Sequence, residues 1–103
     1  MNWNIQKFGP KKAGMPPLIN NIARVIVEAN VDIAIILELA AVTGDIPMKA
    51  LTTAVNALAA AAGQAHIYDY RGSFLSYPTA GDCYGVLIKD MDQIRPIVPM
   101  AGY

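Results

Sequence analysis

Val31-Asp32-Ile33-Ala34-Ile35-Ile36-Leu37-Glu38 is the stretch that decides the fold of this chain. From Val31 to Leu37 it is almost continuously aliphatic, and Val31, Ile33, Ile35 and Ile36 are β-branched. Such side chains are stiff at χ1 and pack well on a pleated surface, so the run reads as a strand. Apolar residues at both parities of the pleat imply a central strand covered on both faces. A single carboxylate, Glu38, follows at its C-terminal end, and Thr43-Gly44-Asp45 punctuates the chain shortly after.

On the N-terminal side, Met15 to Asn30 reads as a helix. Pro16 and Pro17 suit a helix start, where the missing N–H costs little. Leu18, Ile22, Val25, Ile26 and Ala29 fall on one face at helical spacing, and Asn30 is a suitable stop. Before it, Trp3 to Phe8 alternates large apolar and polar residues, with a slip between Ile5 and Phe8, which is a short strand signal. Gly9-Pro10 breaks that strand, and Lys11 to Gly14 reads as loop.

On the C-terminal side, Pro47 opens a second helix that runs to Ala62, with Asp45 or Thr43 as its cap and Gly63 as its stop. Leu51, Val55, Leu58 and Ala62 form its apolar stripe. Strands are expected over Ala65–Tyr70 and Tyr84–Lys89, separated by a loop from Gly72 to Asp82. A last strand, Ile94–Val98, contains Pro96 and so belongs at an edge or a bulge. The order is β-α-β-α-β-β-β, an α+β arrangement with a mixed sheet and two helices on one face.

Composition sharpens this picture. The chain has 103 residues, of which 54% are hydrophobic and 16% charged, with a formal net charge of zero. A small domain has a high surface-to-volume ratio and needs more polar surface than this. An apolar face covered by another segment, a partner chain or a membrane would account for it. A membrane span is disfavoured, because Arg24, Glu28, Asp32 and Glu38 interrupt the most apolar stretch. No basic and then apolar leader opens the chain, so the expected location is cytoplasmic, or reached without a secretory signal peptide. Neutral net charge gives no global attraction for nucleic acid, and Lys7, Lys11 and Lys12 form only a local basic cluster. The single cysteine, Cys83, excludes an internal disulfide.

Three motifs in order add chemistry. Trp3-Asn4-Ile5-Gln6, Asp32-Ile33-Ala34-Ile35-Ile36-Leu37-Glu38 and Asp82-Cys83-Tyr84-Gly85-Val86-Leu87-Ile88-Lys89 together resemble the endonuclease/exonuclease/phosphatase superfamily, the deoxyribonuclease-like fold. The resemblance spans Trp3 to about Val98. It implies half of a two-layered α/β sandwich, a single partial domain over 1–103 corresponding to the superfamily's N-terminal half. It implies Glu38 as ligand to a divalent cation, Mg²⁺ or else Mn²⁺ or Ca²⁺. Asn4 would support that metal or the scissile phosphate, and Asp82 would orient a catalytic histidine. Two positions depart from the pattern: Leu37 replaces a glutamine, and Asp82 is shorter than the usual glutamate.

The superfamily's histidine, its D-x-N motif and its final aspartate-histidine pair have no counterpart in this chain. His66, the only histidine, falls at a strand start, not at a catalytic position. The function expected from the resemblance is the N-terminal part of a metal-dependent phosphoesterase, a nuclease or phosphatase. Its activity would need a C-terminal half or a partner chain, with nucleic acid a possible substrate and a homo-oligomer a possible state. The alternative is a non-catalytic interaction or oligomerisation module that reuses the half-fold. In either case one face of the sheet would lack a covering layer. A dozen large apolar side chains left wet there would forfeit about 1.5–3 kcal/mol each, more than the roughly 5–15 kcal/mol by which a domain is stable.

Overall fold

The computed structural model describes residues 1–40, 43–73 and 83–91. Its elements are β1 (Asn2–Phe8), α1 (Pro10–Ala13), α2 (Pro16–Glu28), β2 (Ile33–Leu39), α3 (Asp45–Ala61), β3 (Tyr68–Ser73) and β4 (Cys83–Lys89). The four strands form one mixed sheet in the order β1-β2-β4-β3. β1 runs parallel to β2, whereas β2–β4 and β4–β3 are antiparallel. The expected α+β class therefore holds, and the run that decided it, β2, lies inside the sheet. The expected strand Ile94–Val98 lies outside the described residues.

The pleat divides the sheet into two unlike faces. Ile5, Phe8, Ala34, Ile36, Leu39, Cys83, Leu87 and Tyr68 are buried in one core with Ile22 and Ile26 of α2 and Met48, Leu51 and Val55 of α3. The helices thus cover one face. Both long helices close in the same way. At α2, Asn30 N–H donates to Val27 and Val31 N–H to Ile26, with Asn30 at φ +50°. At α3, Gly63 N–H donates to Ala60 and Gln64 N–H to Ala59, with Gly63 at φ +77°. These paired bonds satisfy the last carbonyls of each helix and need a left-handed residue, which glycine and asparagine supply. The stops expected at Asn30 and Gly63 are therefore present.

Several boundaries differ from the sequence reading. Pro10–Ala13 is one helical turn rather than loop, because Pro10 presets φ and Ala13 N–H bonds back to Gly9. Gly44, not Thr43 or Asp45, holds the N-cap position of α3, without a side-chain cap bond. Asp45 instead begins the first turn, where its charge complements the helix dipole. β3 starts at Tyr68 rather than Ala65. Asn56 of α3 sets that start: its amide donates to Tyr68 O at 3.0 Å and accepts from Tyr68 N at 2.7 Å. Tyr68 is 1% exposed, and its hydroxyl donates to Val31 O at 2.7 Å.

Close approach of α3 to the sheet depends on Gly85. A Cβ there would meet Met48 Sδ at 2.7 Å and Leu39 Cδ1 at 2.9 Å. Both atoms end flexible side chains, so Gly85→Ala should cost only about 1 kcal/mol and Gly85→Val about 3 kcal/mol. Urea unfolding of the two variants checks this ordering.

The other face is open. Ile33, Ile35 and Leu37 of β2 stand beside Ile88, Val86 and Tyr84 of β4, in register. Ile33, Leu37 and Tyr84 are 47%, 38% and 48% exposed, in the middle of a sheet. The edge strands frame them with polar residues, Asn2 and Asn4 on β1 and Asp69 and Arg71 on β3. Central β2 is thus apolar on both faces as read, but only its helix-side face is covered. Among the described residues this face carries six apolar side chains, three exposed and three partly buried, against the expected dozen, because only the two inner strands carry them.

Candidate metal centre

Glu38 sits where the sheet is irregular. β2 pairs in register with β4 through Leu37↔Tyr84 and again at Leu39↔Cys83, so Glu38 is an extra residue in the strand. Its φ is +59°. β1 is bulged at the same level, since Asn4 pairs with Leu37 but the next partners are Phe8 and Leu39. Within that bulge Gln6 and Lys7 also have positive φ, +22° and +51°. Three non-glycine residues with positive φ thus cluster at the C-terminal ends of two adjacent parallel strands. Each such residue costs about 1–3 kcal/mol, and they concentrate at functional sites. Bulges likewise re-aim side chains beside active sites.

Side chains hold the β1 bulge in place. Asn4 Oδ1 accepts from Gln6 N at 2.9 Å. Lys12 Nζ donates to Ile5 O at 3.2 Å and to Gln6 O. Ala40 N–H donates to Phe8 O at 3.0 Å and rejoins the two strands beyond the bulges. Of the local basic cluster, Lys12 is therefore occupied in fixing backbone, while Lys7 and Lys11 are exposed.

Asn4 pairs with Leu37, one residue before Glu38, so the two expected ligands lie on neighbouring strands. Glu38 is half-buried and Asn4 exposed. An amide oxygen has two lone pairs, so Asn4 Oδ1 keeps one after its bond to Gln6. Asp82, the third expected site residue, lies outside the described residues. Among the described residues no three His, Cys, Asp or Glu side chains form a metal-holding group. One carboxylate and one amide are hard oxygen donors, of the type that suits Mg²⁺, Mn²⁺ or Ca²⁺ rather than a soft metal. Together they could supply two oxygen ligands to a cation whose other ligands were water or phosphate oxygens.

The opposite end of the sheet holds a second polar cluster, which sequence reading missed. His66 Nδ1 lies 2.7 Å from Asp90 Oδ2, and Asp90 Oδ1 accepts from Ile67 N at 3.0 Å. Lys89 Nζ contacts Asp32 Oδ1 at 2.8 Å and donates to Asn30 Oδ1 at 3.1 Å. The first residue of the second motif and the last of the third therefore meet. This explains their pattern structurally: they tie the start of β2 to the end of β4. His66 stands away from Glu38, two residues before β3 begins. A shallow groove of about 170 Å³ lined by Arg24, Val27, Glu28, Leu58 and Ala62 lies on the helix layer, also away from Glu38.

Charge in this second cluster has a pH signature. The Ile67 N–H, then the His66 ring, hold the Asp90 carboxyl below its usual range. The Lys89 hydrogen bond and charge do the same for Asp32 and raise Lys89. Burial pushes the Tyr68 phenol up. A depressed carboxylate pKa stabilises the fold above the unfolded value, about 3.9, and that contribution is lost as pH falls through the folded value. Thermal unfolding midpoints should therefore drop below about pH 4, and Asp90→Asn should flatten that part of the profile.

No protein-family model matches the sequence, and comparison with curated proteins and with solved structures returns no match. No helix among the described residues is long and apolar enough to cross a membrane.

Proposed function

We propose that this chain is the N-terminal half of a divalent-metal-dependent phosphoesterase that hydrolyses phosphodiester or phosphomonoester bonds once a second layer covers its open sheet face. The observation that carries this reading is Glu38. It is a carboxylate held at φ +59° in a bulge, beside Asn4, where two parallel strands end. Among the described residues no hydrogen bond or ion pair of Glu38 accounts for a charged residue in that conformation. Glycine would adopt it at lower cost.

Glu38 and Asn4 would hold the cation. The chemistry it supplies when bound is activation of the attacking water and neutralisation of charge on the phosphoryl oxygens. Asn4, fixed by Gln6, offers its amide N–H groups to a phosphate oxygen as well as its carbonyl to the metal. Exposed Lys7 stands in the same bulge and adds positive charge on the side where an anionic substrate would approach.

Hydrolysis of bis(p-nitrophenyl) phosphate in Mg²⁺ or Mn²⁺ tests the reading. The chain should hydrolyse it only when a second layer covers the open face, and EDTA should abolish that activity. Robust cleavage by the single chain would contradict the requirement for a second layer. The alternative, a non-catalytic oligomerisation module, is favoured by one observation, the six apolar residues on the open face. It predicts association with no metal dependence and no hydrolysis at any concentration.

A further inference from the structure

We infer that the end of the molecule at which β2 finishes docks peripherally onto an anionic lipid surface, through the exposed side chains of Lys7, Lys11, Lys49, Met15 and Ile46. The inference goes beyond the phosphoesterase reading and does not rest on it.

Topology gathers these residues. β1 and β2 run parallel, so α2 starts where β1 ends and returns to where β2 begins. α3 leaves the end of β2 and leads to β3. The first residue of β3 pairs with Lys89, and Ile88 pairs with Ile33 at the start of β2. Both long helices therefore start at the same end of the sheet. α1 lies at that end, packed against α2, α3 and β1. Lys12 ties it down, because its ammonium is held by the carbonyls of Ile5 and Gln6 at the β1 bulge. The bulge, α1 and the starts of α2 and α3 thus make one continuous tip.

Two properties coincide on that tip. The first is charge. Lys7 in the bulge, Lys11 in α1 and Lys49 near the start of α3 are exposed, and Lys12 is half-buried. Among the described residues only Glu38 and Asp45 oppose these four lysines there. The whole chain has zero formal charge, so the cationic excess arises from placement. α2 adds to it: its first turn holds no acidic residue and no side-chain cap, so the positive end of its dipole is uncompensated. The second property is apolar exposure. Met15 is 40% and Ile46 46% exposed, and Pro16 and Pro17 beside Met15 are exposed as well. Aliphatic groups among lysines suit shallow insertion at a headgroup layer. The apolar groups enter the acyl boundary, while the lysine stems lie along it and their ammonium groups reach lipid phosphates.

Chemistry separates a lipid surface from a nucleic acid. Strand and groove binding draws on arginine forks and on aromatic rings that stack with bases. Among its described residues this tip exposes neither. Met15 and Ile46 have no polar atom to offer a phosphate or a base edge, and burial in an apolar phase is what rewards them. Because no helix among the described residues is long and apolar enough to cross a membrane, the contact is one of docking on the surface.

Cosedimentation of the whole chain with vesicles, in EDTA, tests the inference. Vesicles of phosphatidylcholine and phosphatidylserine in equal parts should bind it, and vesicles of phosphatidylcholine alone should bind it at least tenfold more weakly. Raising salt from about 0.1 M to about 0.5 M should release it from the mixed vesicles. Each surface lysine is worth about fivefold in such binding, so Lys11→Glu with Lys49→Glu should weaken it at least about tenfold. Met15→Ser with Ile46→Gln should weaken it at least about fivefold. Circular dichroism should be unchanged in both, since glutamate suits the start of a helix and serine is a favourable residue at the N-cap position that Met15 holds. The lipid and salt comparisons need no variant. No binding to the mixed vesicles, equal binding to both kinds, or indifference to either folded double variant would overturn the inference. Tighter binding to duplex DNA than to mixed vesicles at equal phosphate would overturn it too, in favour of a nucleic acid. Binding is read here without metal or hydrolysis, so its failure leaves the phosphoesterase reading standing, and failure of hydrolysis leaves the docking surface standing.

Discussion

Glu38→Gly is expected to make the protein more stable and to silence it. Glu38 occupies the left-handed region at φ +59°, which costs a residue with a Cβ about 1–2 kcal/mol. Glycine removes that cost but is freer in the unfolded chain, so the net gain should be about 0.5–1 kcal/mol. The same change removes the carboxylate. Mutating residues that merely orient metal ligands costs about 10–100-fold, so losing the ligand itself should lower hydrolysis by at least about 100-fold. Denaturant unfolding and phosphodiester hydrolysis, measured on the same preparation, check both halves. A gain in stability joined to a loss of function is the mark of a site that holds strain for a purpose. If Glu38 were only a solvated strand-end residue, the stability gain would come without the loss.

The largest effect on the fold itself is expected from Phe8→Ala. Phe8 is fully buried, at the point where β1 and β2 rejoin beyond their bulges through Phe8↔Leu39 and the Ala40–Phe8 hydrogen bond. Truncating a buried phenylalanine costs about 3–5 kcal/mol. A two-layer slab with an uncovered face belongs at the low end of the usual 5–15 kcal/mol, so the variant should be close to unfolded at room temperature. Circular dichroism and urea titration read this directly. The substitution also removes the packing that holds the bulges shut, so any Mn²⁺ binding by the residual folded fraction should weaken with it.

Much of this architecture is legible in the sequence because period and punctuation agree. β2 announces itself through its β-branched run, and α2 and α3 through spacing and through stops at Asn30 and Gly63. The slip between Ile5 and Phe8 was visible as a break in alternation, and it marks the bulge that contains Gln6 and Lys7. What it could not convey is that Glu38 is bulged at the same level, because that depends on where β4 pairs on the far side. The α1 turn escaped notice because four residues carry no periodicity. The start of β3 escaped because Asn56, twelve positions away, sets it. The His66–Asp90 and Asp32–Lys89 pairs join residues 24 and 57 positions apart, and no local pattern encodes them.

Part of the apolar excess of the composition stands on one surface. Six side chains on β2 and β4 stand on the uncovered face, between polar edge strands. The same two strands carry Glu38 at one end and the Asp32–Lys89 tie at the other.

The most direct test is the rate of bis(p-nitrophenyl) phosphate hydrolysis as a function of Mn²⁺, measured on wild-type chain and Glu38→Gln under conditions where the open face is covered. Saturable, Mn²⁺-dependent hydrolysis in the wild type, reduced at least about 100-fold in a folded Glu38→Gln, is the predicted result. Equal rates in the two proteins, with or without Mn²⁺, would contradict the assignment of Glu38 as the metal ligand of a phosphoesterase half.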